Sequence, residues 1–165
     1  MERYAPSAPM NGTPADSAVE VTTLKIEEAY LASDIMAKEL DPIDYAIQPI
    51  ASMGNLTLLQ GEPKGGKSCF ALYCALSCAV GAWTASRFDV PKPRRTVFVT
   101  YEDGLRRIKT RLEEYTRGLG CAAPPNFFIY VHQNAPKLRL EHALGTALLA
   151  TLIEKFAAAV VILDT

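Results

Sequence analysis

Long apolar runs are missing from this sequence: nowhere do the roughly 18 consecutive apolar residues of a membrane-crossing helix occur. The N-terminus, Met1-Glu2-Arg3-Tyr4-Ala5-Pro6, also lacks the apolar stretch of a secretory signal. A cytoplasmic protein with no membrane partner is therefore expected. An excess of one charge is missing too, since Lys and Arg total 17 against 18 Asp and Glu, for a net charge of −1 and a pI near 6.1. The chain as a whole has no electrostatic footprint for nucleic acid, although a neutral total leaves room for a local basic patch. Cysteine is sparse. Of the four, Cys69, Cys74 and Cys78 share one segment rich in Ala, Leu, Phe and Tyr, with no histidine nearby. A zinc site needs ligand pairs such as C-x₂-C with a second pair behind them. The spacing does not supply these, so free, buried, reduced thiols packing as small apolar residues are expected. No internal repeat is visible.

What is present is the composition of a globular protein: 165 residues, 49% hydrophobic and 21% charged. Residues 1–22 are rich in Ala and Pro, with Ser, Gly and Asn among them and few large apolar groups, and read as a flexible tail. Residues 23–46 read as a short helical appendage docking on the core. Ile26, Tyr30, Ile35 and Met36 recur at mixed helical spacing between Leu24 and Leu40, and Asp41-Pro42 supplies a stop. Pro42 to Ile50 shows no clear period. The core then spans residues 47–165. Asn55-Leu56-Thr57-Leu58-Leu59-Gln60 is a short apolar run ending at a glycine, which suits a buried strand.

A glycine loop follows, and Lys67 to Ala82 reads as a helix buried on much of its circumference. Thr96 to Thr100 is β-branched and aromatic, hence a strand. Leu105, Ile108, Leu112 and Tyr115 mark an amphipathic helix closed by Gly118 or Gly120. A strand over Phe127–Val131, a helix from about Glu141 to Phe156 and a strand over Ala159–Leu163 ending at Asp164 complete the pattern. Strands alternating with helices predict an α/β fold with a mainly parallel sheet and helices on both faces. The chain stops directly after what reads as a central strand, so an incomplete domain is expected.

The loop Gly61-Glu62-Pro63-Lys64-Gly65-Gly66-Lys67-Ser68 matches G-x-x-x-x-G-K-[ST]. At average glycine usage a chance match in this length is on the order of one in a hundred. A triphosphate carries several charges that must be matched by oriented donors; the amides of a glycine loop and a helix N-terminus provide them. The cradle comprises Gly61, Glu62, Pro63, Lys64, Gly65, Gly66, Lys67, Ser68 and Cys69. In it Lys67 is expected on the β and γ phosphates and Ser68 in the Mg²⁺ shell. Lys64 is an additional cation, either solvated or drawn to the phosphates. ATP and Mg²⁺ are the expected ligands. Asp164, a carboxylate at the C-terminal end of an apolar strand, is a metal-shell candidate, with a helix-capping Asp as the alternative. Glu102 ends the other strand. It is a candidate base for an attacking water, and Glu-Asp-Gly is equally an ordinary turn.

With these elements in order, the chain resembles RecA-like P-loop ATPases, in particular the AAA-domain group that includes the plasmid replicative helicase RepA. The resemblance rests on Gly54 to Ser68, on Val97-Phe98-Val99-Thr100-Tyr101-Glu102-Asp103-Gly104 with the Arg-rich helix behind it, and on Val160-Val161-Ile162-Leu163-Asp164-Thr165. It implies that Glu102 is the catalytic base, that Lys67 assists catalysis and that Asp164 is the Mg²⁺-linked carboxylate closing the second nucleotide motif (Walker B). It also implies single-stranded or duplex DNA as a partner and a homo-oligomeric ring or filament. Family members continue past this Asp with further strands, DNA-facing loops and any arginine finger.

Two further classes stay open at this point: a nucleotide-controlled binding module without motor activity, and a small-molecule kinase using the same loop. The basic residues Lys92, Arg94, Arg95, Arg106, Arg107, Lys109 and Arg111 receive no role, since ion-paired or solvated helix faces are their commoner fate.

Overall fold

In the computed structural model, residues 30–83, 87–131 and 140–164 are described. The chain divides into two units, Met1–Leu40 and Asp41–Thr165. The described part of the first is one short helix, α1 (Ala32–Ala37), with no buried residue. The helix expected over 24–40 is thus shorter where it is described, and residues 24–29 lie outside the described part. Leu31 at its N-cap makes no side-chain hydrogen bond, and Lys38 is already extended. Six residues without a buried face have little to hold more turns.

The second unit contains, in order, β1 (Tyr45–Ile47), β2 (Ala51–Ser52), α2 (Lys67–Val80), β3 (Thr96–Thr100), α3 (Leu105–Leu119), β4 (Phe127–Val131), α4 (Ala143–Phe156) and β5 (Val160–Asp164). The sheet order is β4-β3-β5, with both pairings parallel. β3 is central and buried at all five positions. That explains its unbroken run of β-branched and aromatic residues, since a parallel strand covered on both faces has no polar side.

Strand alternation divides the core. Phe98, on one face, packs with Ala71, Leu72 and Ala75 of α2 and Ile108 of α3. Val97 and Val99, on the other, pack with Leu148, Leu152 and Phe156 of α4. The α/β fold with helices on both faces of a parallel sheet is therefore observed.

Two features depart from the reading of the sequence. β1 and β2 form an antiparallel hairpin in a stretch that shows no period. Ala46 and Ile47 are buried against Cys74 and Cys78 of α2 and Val90. The hairpin is tied down by Arg94, whose guanidinium donates to the Asp44 carboxylate and to the Tyr45 carbonyl. That hydrogen bond with Arg94, aided by its charge, holds the Asp44 carboxyl below its ordinary value.

The second departure is a correction. Residues 55–60, expected as a buried strand, are not a strand: Leu56 is 96% exposed and Leu58 78%. A strand is held by its ladder of backbone hydrogen bonds, and among the described residues no neighbouring strand pairs with this segment.

α2, expected to run to about Ala82, ends at Val80, and Gly81 caps it at φ +75. A Cβ there would meet the Pro93 nitrogen at 2.6 Å, so both backbone angle and space demand glycine. No helix among the described residues is long and apolar enough to cross a membrane.

Phe98→Ala, which empties a fully buried ring site at the centre of the sheet, should lower unfolding free energy by about 3–5 kcal/mol in denaturant titrations. Burial pushes the Cys74 thiol up to about 12 and Cys78 to about 11 from an ordinary 9.0. Above pH 9 the unfolded thiols release protons that the native ones keep. Unfolded chains then bind fewer protons, and stability should fall as pH rises from 9 toward 11. A Cys74→Ala/Cys78→Ala double variant should show a flatter alkaline profile. Thiol reagents at pH 8 should label half-buried Cys69 and Cys121 well before the other two.

Candidate active site

The phosphate loop lies on the surface ahead of α2. Gly66 forms the helix N-cap at φ +81 without a side-chain cap, so amides of the first turn remain to be satisfied from outside. Lys64 holds φ +64, a left-handed angle that costs a non-glycine residue about 1–2 kcal/mol. Strain of this kind gathers in ligand-binding loops. Within the loop the Gly65 amide donates to the Glu62 carbonyl at 3.1 Å. A Cβ on Gly65 would meet that same oxygen at 3.1 Å, closing the approach.

The Lys67 ammonium folds back over the loop, donating to the carbonyls of Gly61 at 2.9 Å and Glu62 at 2.8 Å. Lysine has three N–H donors, so one remains for a ligand held above the loop. These are the donors a polyphosphate requires, and the loop fits one.

Asp164 closes β5 and is only 8% exposed. Its register partner on β3 is Thr100. Residues in register on neighbouring parallel strands share a face. Thr100 and Asp164 therefore lie on the side of Phe98 and Ile162, where α2 packs. The carboxylate thus sits at the C-terminal edge of the sheet, on the face covered by the helix that the phosphate loop opens. Its oxygen Oδ2 accepts a hydrogen bond from the Thr100 hydroxyl at 3.3 Å. Among the described residues it makes no ion pair. A buried carboxylate without a cation is costly unless one is supplied. Its oxygen donor set suits a hard divalent ion such as Mg²⁺.

Glu102 is exposed just beyond β3, on the rim of an open cleft of about 620 Å³ shared with Gly104, Arg106, Arg107, Thr110 and Arg111. The turn that carries it is anchored by its neighbour. Asp103, 5% exposed, receives ion pairs from Arg107 at 3.0 Å and from Arg111, and its amide donates to Thr100 Oγ1 at 3.4 Å. α3 is held to the base of α2 by the Tyr115 hydroxyl, which donates to the Cys69 carbonyl at 3.2 Å.

Asp164 and the Glu102 turn are thus brought together through Thr100. Among the described residues no hydrogen bond or ion pair joins the loop side chains of Lys67 or Ser68 to either acid. Sequence reasoning passed over Thr100 and Asp103. The signals were available: a hydroxyl inside a strand with both faces covered, and arginines four and eight residues after an acid that stands just ahead of a helix.

A family model described as an AAA domain matches residues 20–165. The chain belongs to this AAA-domain family. Membership implies ATP binding and hydrolysis by a RecA-like P-loop core, and such domains typically bind ATP with Mg²⁺. No significant match is found among curated proteins or among solved structures.

Removing the anchor of the Glu102 turn tests its role directly. Asp103→Asn should cost about 1.5–3 kcal/mol of stability, the range for hydrogen bonds to a charged group, and should loosen the start of α3. Thermal unfolding and hydrogen exchange at Arg107 to Arg111 report both effects.

Proposed function

We propose that this AAA domain is a Mg²⁺-dependent ATPase in which Lys67, Ser68, Asp164 and Glu102 form one catalytic unit. The observation that carries the reading is the buried carboxylate of Asp164 on the α2 face of the sheet, which makes no ion pair among the described residues and is linked to the turn bearing Glu102. In this reading the first amides of α2 and the Lys67 ammonium hold the polyphosphate, with Gly61 to Gly66 and Cys69 forming the rest of the cradle. Ser68 and Asp164 would hold the Mg²⁺, which would supply positive charge to offset that of the polyphosphate. Glu102, exposed on its cleft, accepts the proton of the attacking water.

The resemblance to the group that includes RepA supports a helicase-like role for the reaction in the replication or recombination of plasmid, phage or bacterial DNA. It also supports work by a homo-oligomeric ring or filament in the cytoplasm. That part rests on family likeness, with no residue of this chain assigned to DNA.

Calorimetry and steady-state hydrolysis separate the parts of this reading. Lys67→Ala should lose most ATP binding. Glu102→Gln should keep it while hydrolysis falls by about 10²–10⁴-fold. Asp164→Asn should lose the Mg²⁺ dependence of binding, and single-stranded DNA should raise the wild-type rate. Wild-type turnover by Glu102→Gln would remove it as the base. DNA-independent turnover without DNA binding at low salt would instead favour a nucleotide-controlled binding module. ATP consumption only in the presence of one metabolite would point to a kinase.

A further inference from the structure

Thr100 occupies an unusual place for a hydroxyl. It is fully buried in a strand covered on both faces, where Val97 and Val99 fill comparable positions with purely apolar side chains. A buried hydroxyl is costly unless hydrogen-bonded, and valine would fill nearly the same volume without that cost. Thr96, equally buried at the other end of β3, satisfies its hydroxyl locally by donating to the Arg94 carbonyl at 3.1 Å, two residues away. Thr100 instead uses its hydroxyl across the structure. It donates to Asp164 Oδ2 on β5, 64 residues along the chain, at 3.3 Å. It accepts the Asp103 amide proton at 3.4 Å. The Tyr101 amide adds a backbone bond to the Asp164 carbonyl at 3.2 Å, which fixes the strand ends in register.

We propose that Thr100 is a positioning residue for ATP hydrolysis: its hydroxyl locks the Asp164 carboxylate to the backbone of the Glu102–Asp103 turn, so that the metal-side acid and the water-side base keep one geometry. The proposal rests on the roles given above to Asp164 and Glu102. Outer groups that orient a metal-binding carboxylate are commonly worth 10–100-fold in metal affinity or rate. Thr100 touches the oxygen of one acid and the amide following the other. Losing its hydroxyl frees the carboxylate to rotate and leaves the Asp103 amide without its acceptor. The strand stays filled by the methyl groups of a valine.

The test uses the full chain, ¹⁵N-labelled, as wild type, Thr100→Val, Thr100→Ser, Glu102→Gln and Asp164→Asn. In Thr100→Val the Asp103 amide should exchange with solvent at least about tenfold faster. The Mg²⁺ concentration needed for tight ATP binding should rise, and kcat should fall about 10–100-fold with little change in KM. Thr100→Ser, which restores the hydroxyl, should return all three toward wild type, which a role in packing alone would not do.

Thr100→Val with wild-type kcat and Mg²⁺ dependence, while Glu102→Gln and Asp164→Asn lose hydrolysis, overturns the positioning role and leaves the site standing. Wild-type hydrolysis by Glu102→Gln and Asp164→Asn overturns the site and this role together. If Thr100→Val fails to fold by circular dichroism, Thr100→Ala against Thr100→Ser provides the same comparison. Amide exchange and Mg²⁺-dependent ATP binding decide the matter even where turnover is slow.

Discussion

The parallel register of β3 against β5 governs the geometry of the candidate site. It pairs Thr100 with Asp164, and because registered neighbours share a face, it turns both toward α2 and away from α4. A shift of one residue would send Asp164 to the α4 side and turn Val161 and Leu163, which now pack there, toward α2. The register is held by the two apolar faces of β3, each sealed by its own helices, so the same packing that stabilises the fold also aims the carboxylate.

Two buried acids stand near this sheet edge in opposite electrostatic states. Asp103 is neutralised by Arg107 and Arg111 and serves to hold the turn. Asp164 accepts a hydrogen bond from a hydroxyl and makes no ion pair among the described residues. Most of the basic residues left without a role by the sequence are ion-paired, as expected. Lys92 and Arg94 meet Asp44, Lys109 meets Glu113, and Arg107 and Arg111 meet Asp103. Their charge is largely spent within the fold, in keeping with a chain whose net charge is −1.

The phosphate loop has a different character from the sheet edge. It is exposed and contains a strained Lys64 angle, and it closes on its own lysine through the carbonyls of Gly61 and Glu62. Residues 55–60 before it lie outside any ladder, with Leu56 and Leu58 facing solvent. The strand ends of the candidate site are joined by Thr100, whereas the Lys67 donors of the loop are partly occupied by the loop's own carbonyls.

What the sequence determined by itself is local. The glycine spacing of 61–68, the β-branched and aromatic strand stretches of β3, β4 and β5, and the caps of α2 and α3 are all carried by neighbouring residues, because turn geometry, strand alternation and helix ends depend on positions a few places apart. What only the tertiary structure decided depends on partners far along the chain. An apolar run such as 55–60 becomes a strand only beside another strand, and the hairpin at Tyr45–Ser52 is fixed by Arg94 and by the wall of α2. The Thr100 hydroxyl gains its meaning from an aspartate 64 residues away, a separation at which periodicity carries no information.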